Sequence, residues 1–181
     1  MTVYIGLLRG INVGGNNKIK MAELKQTLEA IGLGRVQTYL QSGNVVFVSE
    51  ELPDVLRGRI EEEIKRGFGI SLTVVLRTAE EWEQLLAACP YDSEALKPGE
   101  SIQISVLIEQ PPQEIGGILE NGSGSTDEFQ IRGREIYYLF RQSVLDSKLA
   151  SNIQKLGDKI TTRNWNTMSK LGALAQALHV E

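Results

Sequence analysis

Hydrophobic and polar residues alternate along the first half of the chain with the periods of four strands and two helices. Residues 2–9 are apolar or β-branched at both odd and even positions, which indicates a strand buried on both faces. The segment MAELKQTLEAIG then repeats its apolar residues at helical spacing. VQTYLQSGNVVFV predicts a hairpin that turns at Gly43-Asn44, Pro53 opens a second helix, and ISLTVVL forms the fourth strand. The order βαββαβ is that of a split βαβ, or ferredoxin-like, unit.

The second half repeats this order less completely. From Thr78 the segment TAEEWEQLLAAC predicts a helix with an N-cap and a capping box, and Pro90 ends it. Beyond a linker, SIQISVLI alternates as a strand, PPQEIGGILEN predicts a short helix, NGSGST is the segment expected to be most flexible, and EFQIRGREIYYLFR predicts a second hairpin. Helices near 144–156 and 163–178 complete a βαββα pattern. The second half therefore looks like a variant of the first.

Together these elements predict an α+β protein made of two ferredoxin-like (split βαβ, α/β plait) domains in tandem. The first domain covers residues 1–77, a connecting helix and linker cover 78–100, and the second domain, with extra C-terminal helices, covers 101–181. Because both odd and even positions of its strands are apolar, both faces of the first sheet are predicted to be covered. In the second sheet Gln103 and Ser105 oppose the apolar positions, which predicts one face open to water.

Composition narrows the class of protein. A hydrophobic content of 41% and a charged content of 23% are typical of a globular protein, and a net charge of -4 gives no overall attraction to nucleic acid. The single cysteine, Cys89, excludes an internal disulfide and fits a reducing compartment. No apolar stretch approaches the roughly 20 residues of a membrane span, and the first apolar run is too short for a secretion signal. We therefore expect a cytoplasmic protein that does not enter the membrane.

The stretch LLRGINVGGNNKIKM has the glycines and lysines of a phosphate loop. Gly10 and Gly15 have the required spacing, but asparagines stand where a nucleotide-binding loop needs Lys followed by Ser or Thr. What remains is a glycine turn whose amides could hold an anion, with Arg9, Lys18 and Lys20 as cationic donors. Equally compatible is a connection in which the glycines supply positive φ angles and the lysines are solvated.

The last predicted helix carries a second cationic group. TTRNWNTMSKLGALAQAL begins at a plausible N-cap, Thr162, and sets Arg163, Asn166 and Lys170 on one polar face near the positive end of the helix dipole. Residues 1–22 and 159–180 contain no acid, so the two ends of the sequence would form one positive patch if the fold joined them. Trp165 could stack on a ring, but packing against the protein is the favoured interpretation for so large an aromatic residue.

Several enzyme classes lack the residues they need. His179, the single histidine, lies near the end of the last helix, and Cys89 stands at a helix end before proline. Sites of the Ser-His-Asp or Cys-His type are therefore disfavoured. No group of residues has metal-ligand spacing, and no cofactor is predicted. An enzyme would have to rely on Arg, Lys, Asn, Ser or Tyr side chains, and whether the chain is an enzyme stays open.

Three stretches, LLRGINVGGNNKIKM, YLQSGNVVF and TTRNWNTMSKL, together resemble the motifs of a widespread bacterial family, domain of unknown function 1697. The resemblance extends in the same order over essentially the whole chain. It implies two ferredoxin-like α+β domains, in agreement with the pattern of elements. It implies no reaction, cofactor or catalytic residue.

Our functional expectation is an uncharacterised protein that binds a small anionic or phosphorylated ligand in a groove between its domains. The residues expected to contact the ligand are Arg9, Asn12, Lys18, Lys20, Ser42, Asn44, Arg163, Asn164, Trp165 and Lys170. For Ser42 and Asn44, a role in the hairpin turn is equally compatible. One alternative is a metal-independent transferase that clamps phosphate with Arg9 and Arg163. Others are a protein-interaction scaffold and, less favoured because the chain is acidic and aromatic-poor, a single-stranded nucleic-acid binder. The oligomeric state cannot be read from the sequence.

Overall fold

The computed structural model describes residues 1–122 and 126–180, and within these ranges the chain is an α+β protein with eight strands and six α-helices. The predicted flexible segment NGSGST includes residues 123–125, which lie outside the described residues. The chain divides into two compact units. The first unit contains residues 1–84 and 169–181, and the second unit contains residues 85–168.

The first unit is built on a four-stranded antiparallel sheet. Its strands are β1 (Thr2–Leu8), β2 (Gly34–Tyr39), β3 (Asn44–Ser49) and β4 (Val74–Thr78), and its helices are α1 (Met21–Ala30), α2 (Pro53–Phe68) and the start of α3 (Ala79–Ala87). The strands lie in the order β2-β3-β1-β4, and every neighbouring pair is antiparallel. This order places β1, and the loop that leaves it, in the middle of the sheet.

One face of this sheet packs on α1 and α2. Both helices bury an apolar stripe, Leu24 and Leu28 on α1 and Leu56, Ile60 and Ile64 on α2, against one hydrophobic cluster. Tyr4 and Phe47 join this cluster and stack, with ring centroids 5.7 Å apart. The opposite face of β1, formed by Val3, Ile5 and Leu7, is also buried. The prediction that both faces of the first sheet are covered is confirmed.

The β2–β3 connection differs from the predicted hairpin. Asn44 was expected in a two-residue turn, but it is the first residue of β3 and pairs with Tyr39. The connection is therefore the four-residue stretch 40–43, which accommodates positive φ angles at Leu40 (60°) and Gly43 (93°). Glycine followed by asparagine is typical of a two-residue hairpin turn, but the observed register pairs Tyr39 with Asn44 and leaves four residues in the connection.

The second unit repeats the same sheet. Its strands are β5 (Ser101–Leu107), β6 (Glu128–Arg132), β7 (Glu135–Phe140) and β8 (Ile160–Asn164), and its helices are α4 (Glu114–Glu120), α5 (Lys148–Gln154) and the start of α6 (Trp165–Val180). The order β6-β7-β5-β8 corresponds position by position to that of the first sheet, again with antiparallel neighbours.

The strand β8 was missed by the sequence analysis. Residues 160–162 are the β-branched run Ile-Thr-Thr, which favours a strand. The prediction of a helix from residue 163 with Thr162 as N-cap is wrong, because Asn164 caps α6 instead: its Oδ1 accepts a hydrogen bond of 2.9 Å from the Thr167 amide. Because Thr and Asn are both good N-caps, the sequence alone did not distinguish them.

The prediction of a water-exposed face on the second sheet is wrong for its central strands. Ser105 and Tyr138 are fully buried, and their face of the sheet packs on α4 and α5 through Leu119 and Leu149. Ser105 Oγ forms hydrogen bonds of 2.8 Å with Tyr138 Oη and 2.6 Å with Thr162 Oγ1. A polar residue is tolerated in this core because its hydroxyl has these partners.

Candidate functional site

The connection between β1 and α1, residues 9–20, is held at both ends by backbone hydrogen bonds. Half-buried Arg9 follows β1, and its amide donates to the Thr73 carbonyl at 3.1 Å. At the other end Lys20 precedes α1, and its carbonyl accepts from the amides of Glu23 and Leu24, both at 3.0 Å. Arg9 and Lys20 are thus fixed in their backbone positions.

Asn12 organises the inside of this connection. Its backbone has a positive φ of 55°, which asparagine tolerates better than most residues. Its Oδ1 accepts from the Ile19 amide at 2.9 Å, and its Nδ2 donates to the carbonyls of Ile19 at 3.1 Å and Gln41 at 2.7 Å. Asn17 adds a bond from its Nδ2 to the Gly10 carbonyl at 3.1 Å. In this structure the Asn12 amide acts on the protein's own backbone and positions the neighbouring residues.

The two glycines at the tip serve a tight turn. Val13 and Asn16 form an antiparallel bridge, with the Asn16 amide 2.9 Å from the Val13 carbonyl. Gly14 and Gly15 between them have φ angles of 57° and 80°. Positive φ at both central residues is the pattern of a type I′ turn. The turn presents Lys18 and Lys20, which are both exposed, at the base of a small hairpin.

The second motif, QSGN, packs directly on the first. The Leu8 amide donates to the Gly43 carbonyl at 2.8 Å, and a Cβ added to Gly43 would lie 2.7 Å from Ile11 Cδ1 and 2.9 Å from Leu8 Cβ. Asn44 is fully buried and donates from Nδ2 to the Tyr39 carbonyl at 2.7 Å and to Ser42 Oγ at 2.9 Å. Asn44 therefore supports the turn from beneath, while Ser42 lies at the surface.

We call residues 9–20 and 40–44 the loop–turn cluster. It contains three cationic side chains, Arg9, Lys18 and Lys20, and no aspartate or glutamate. It also holds Asn12, Asn17 and Leu40, which, with Arg35, are the non-glycine residues that have positive φ within the described parts of the chain. Such backbone strain persists where surrounding contacts fix it, and it concentrates at functional sites. The cluster therefore combines a backbone held by side-chain hydrogen bonds with three cationic residues.

The remaining expected site residues lie in and after β8. Arg163 is in the strand, opposite Ile104, and not on the helix face where it was predicted. Its Nη1 donates to the Thr162 carbonyl at 3.0 Å, and burial lowers the pKa of its guanidinium to about 10. Asn164 caps α6, Trp165 is the half-buried first residue of that helix, and Lys170 is exposed. Arg163, Asn164 and Trp165 belong to the second unit and Lys170 to the first.

Sequence reasoning missed Arg77, the counterpart of Arg163 in the first unit. Arg77 lies in β4 opposite Ile5, is 3% exposed, and donates from Nη1 to the carbonyl of the preceding residue at 3.0 Å, as Arg163 does. In both strands the arginine is followed by the N-cap of a helix; for α3 this is Thr78, whose Oγ1 accepts from the Glu81 amide at 3.1 Å. The matching tripeptides LRT and TRN were the available signal.

In residues 1–122 and 126–180, no three His, Cys, Asp or Glu side chains are grouped so that they could hold a metal ion. None of the helices described is both long and apolar enough to cross a membrane.

The model of a family described as "Protein of unknown function (DUF1697)" matches residues 1–137. Among solved structures, that of conserved bacterial protein SP0830 from Streptococcus pneumoniae is similar with a TM-score of 0.77 and 24% sequence identity, over 96% of this chain and 98% of that chain. No curated protein matches the chain. At this identity the structural likeness shows the fold alone.

Proposed function

Since the chain belongs to the DUF1697 family of proteins of unknown function, we propose its function from its geometry: the loop–turn cluster binds a small anionic ligand through a phosphate or similar group. The observation that carries this proposal is that residues 9–20 and 40–44 contain Arg9, Lys18 and Lys20 and no carboxylate, on a connection that Asn12 holds in place. The two exposed lysines, Lys18 and Lys20, are the side chains most accessible to such a ligand.

Preorganisation is the physical reason to expect binding. A mobile lysine-rich loop loses conformational freedom when it closes on an anion, and this loss offsets much of the gain. Here the backbone is already ordered by the Asn12 and Asn17 side chains. An ammonium group donates up to three hydrogen bonds to phosphate oxygens without demanding one fixed geometry. We expect modest affinity, because the lysines are exposed and screened by salt.

A small anion fits better than a nucleic-acid strand. The chain is acidic overall, with a net charge of -4, and the cluster's exposed apolar residues are Val13 and Leu40 rather than the aromatic residues on which bases stack. Single-stranded nucleic acid, a protein scaffold and a metal-independent transferase remain the alternatives. A transferase would use Arg9 and Arg163 on a phosphoryl group. The other residues expected at the same ligand also stay a prediction: Asn12, Ser42, Asn44, Arg163, Asn164, Trp165 and Lys170.

Titration of inorganic phosphate, nucleotides and sugar phosphates, followed by NMR shifts of the cluster amides and by thermal shift, tests the proposal. We expect one class to bind, and the Lys18→Ala/Lys20→Ala double variant to weaken it by about tenfold or more, since each charged hydrogen bond contributes about 1.5–3 kcal/mol. Lys25→Ala/Lys65→Ala is the matched control, because these lysines lie on α1 and α2 and the change in net charge is equal.

Equal weakening by both double variants would show diffuse electrostatics and contradict the site. Binding of oligonucleotides alone, with a steep salt dependence, would favour the nucleic-acid alternative. Turnover of a phosphorylated compound, lost in both Arg9→Ala and Arg163→Ala, would favour the transferase. Absence of binding by every compound would favour the scaffold.

We infer that each unit is a ferredoxin-like plait, which the two matching strand orders support. The domain limits 1–77, 78–100 and 101–181 stay a prediction. We also infer a cytoplasmic location, which the lone Cys89 supports.

A further inference from the structure

Strand β6 forms an outer edge of the second sheet and is exposed along most of its length. Its neighbour on one side is β7, and the pairing is regular from Glu128 to Arg132. A two-residue turn joins the strands, so Arg132 and Glu135 form a hydrogen-bonded pair. By alternation, the backbone N–H and C=O groups of Phe129 and Ile131 point away from β7. Within the described residues these groups have no hydrogen-bond partner.

The corresponding edge of the first sheet is protected. In β2 the register shifts between Gly34 and Gln37, and Arg35 has a φ of 50°. The Arg35 side chain also donates from Nη1 to the Leu178 carbonyl at 3.4 Å. A bulge is one of the usual devices that keep an edge from pairing with another strand. The regular ladder of β6 carries no such irregularity.

The sequence of β6 is complementary to itself in the antiparallel direction. When Gln130 of two copies are set opposite each other, Glu128 of one faces Arg132 of the other at both ends, and Phe129 faces Ile131. In this register Phe129 and Ile131 are the residues whose backbone groups point outward, so the two copies exchange four backbone hydrogen bonds. Opposite charges and an aromatic–β-branched pair are favourable cross-strand neighbours.

Apolar packing continues in the same register. Phe129 packs against the core cluster of the second unit, next to Tyr138, and Ile131 is 38% exposed on the same face. A second copy would cover Ile131 with its own Phe129 and extend this apolar face across the dimer interface. Glu128 binds Arg141, and Arg132 binds the Ala88 carbonyl and, from Nη2, Gln130 Oε1 at 3.0 Å. The second carboxylate oxygen and the remaining guanidinium N–H groups stay available.

We propose that β6 is a homodimer interface, at which the β6 strands of two copies pair antiparallel about Gln130 and join two four-stranded sheets into one of eight strands. The strand is short, so the interface falls toward the small, reversible end of specific interfaces, below about 1,200 Å². The dimer should therefore dissociate on dilution. This inference is independent of the proposed ligand site.

Sedimentation equilibrium on the full chain tests it. The wild type should approach twice the 20.0 kDa of the chain as concentration rises. Glu128→Arg and Arg132→Glu each set like charges opposite each other, and each should raise the dimer dissociation constant by more than about tenfold. An equimolar mixture of these two variants restores both ion pairs across the interface, and so does the double variant Glu128→Arg/Arg132→Glu. Both should dimerise again.

A variant that removes a backbone N–H tests the strand pairing independently of the charges. Ile131→Pro removes an outward amide and leaves the pairs of Glu128, Gln130 and Arg132 with β7 intact, so it should abolish dimerisation. Ile131→Ala is its control for the lost side chain, and circular dichroism verifies folding of each variant. A wild type that stays monomeric at every concentration overturns the proposal. So does a dimer that tolerates both charge reversals, or reversals that the mixture fails to rescue.

Discussion

The two sheets share one strand order, but the segments attached to equivalent strands differ. In the first unit β1 is followed by residues 9–20, an ordered connection with a turn of its own, whereas in the second unit β5 is followed by the shorter connection 108–113. The outer edge strands of the two sheets also differ, since β2 is irregular and β6 is regular. A repeated scaffold thus carries an elaborated loop in one copy and an open edge in the other.

The hairpin turns show what this elaboration requires. Gly43, in the β2–β3 connection, has a φ of 93° and lies against Leu8 and Ile11. Gly133, in the equivalent β6–β7 turn, has a φ of 60° with nothing within 4 Å of an added Cβ. Both positions need a positive φ, but the first also needs the absence of a side chain because the loop–turn cluster packs on it.

Gly43→Ala should have the largest effect on stability. It adds a clash of about 1–3 kcal/mol in a packed site to about 1–2 kcal/mol for a left-handed backbone, so we expect a loss of about 2–5 kcal/mol in urea unfolding. Gly133→Ala carries the conformational cost alone and should lose about 1–2 kcal/mol. Equal losses in the two variants would mean that the contact with Leu8 and Ile11 relaxes, and the contrast between the turns would not hold.

Asn12→Ala should have the next largest effect. It removes three hydrogen bonds of a partly exposed side chain and places alanine at positive φ, which together cost about 1–3 kcal/mol. Asn12→Asp retains the acceptor and the tolerance of this φ, and should lose less. Amide hydrogen exchange localises the change, because protection at Ile19 should fall while protection in β5 is unchanged. Loss of protection in both units would contradict a local role.

Much of the fold could be predicted because the first half combines strong strand and helix periods with clear breaks. The strand β8 could not, because its Ile-Thr-Thr run is short and is followed by several good cap residues. Site residues were harder for a different reason. The side-chain amides of Asn12 and Asn44 bind backbone carbonyls, and a partner such as Gln41, distant in sequence from Asn12, is known only from the three-dimensional structure. Whether these residues also contact a ligand stays a prediction. Arg77 was missed because an arginine in an apolar strand gives no periodic signal.

A smaller effect on stability is expected from the carboxylate of Asp127 in the second unit. Asp127, which precedes β6, accepts hydrogen bonds from Ser147 Oγ at 2.6 Å, the Arg141 amide at 2.7 Å and Gln142 Nε2 at 3.0 Å. Burial tends to raise the pKa of this carboxyl group, but the hydrogen bonds outweigh it and hold the pKa below its usual value of 3.8. Asp127 thereby ties the end of β7 to Ser147, the N-cap of α5.

The sign of the pH dependence follows from this lowered pKa. The unfolded carboxyl group binds its proton at a higher pH than the folded one, so the stabilisation is complete above the unfolded value and disappears as the pH falls through the folded value. Urea unfolding should therefore show a loss of stability on acidification below about pH 4 that is smaller in Asp127→Asn than in the wild type. Asp54→Asn, at the start of α2 in the first unit, is the control. If Asp127→Asn retained the full acid dependence, the carboxylate would contribute nothing to the second unit, and the stabilising polar network there would have to be sought in the buried hydroxyls of Ser105, Tyr138 and Thr162.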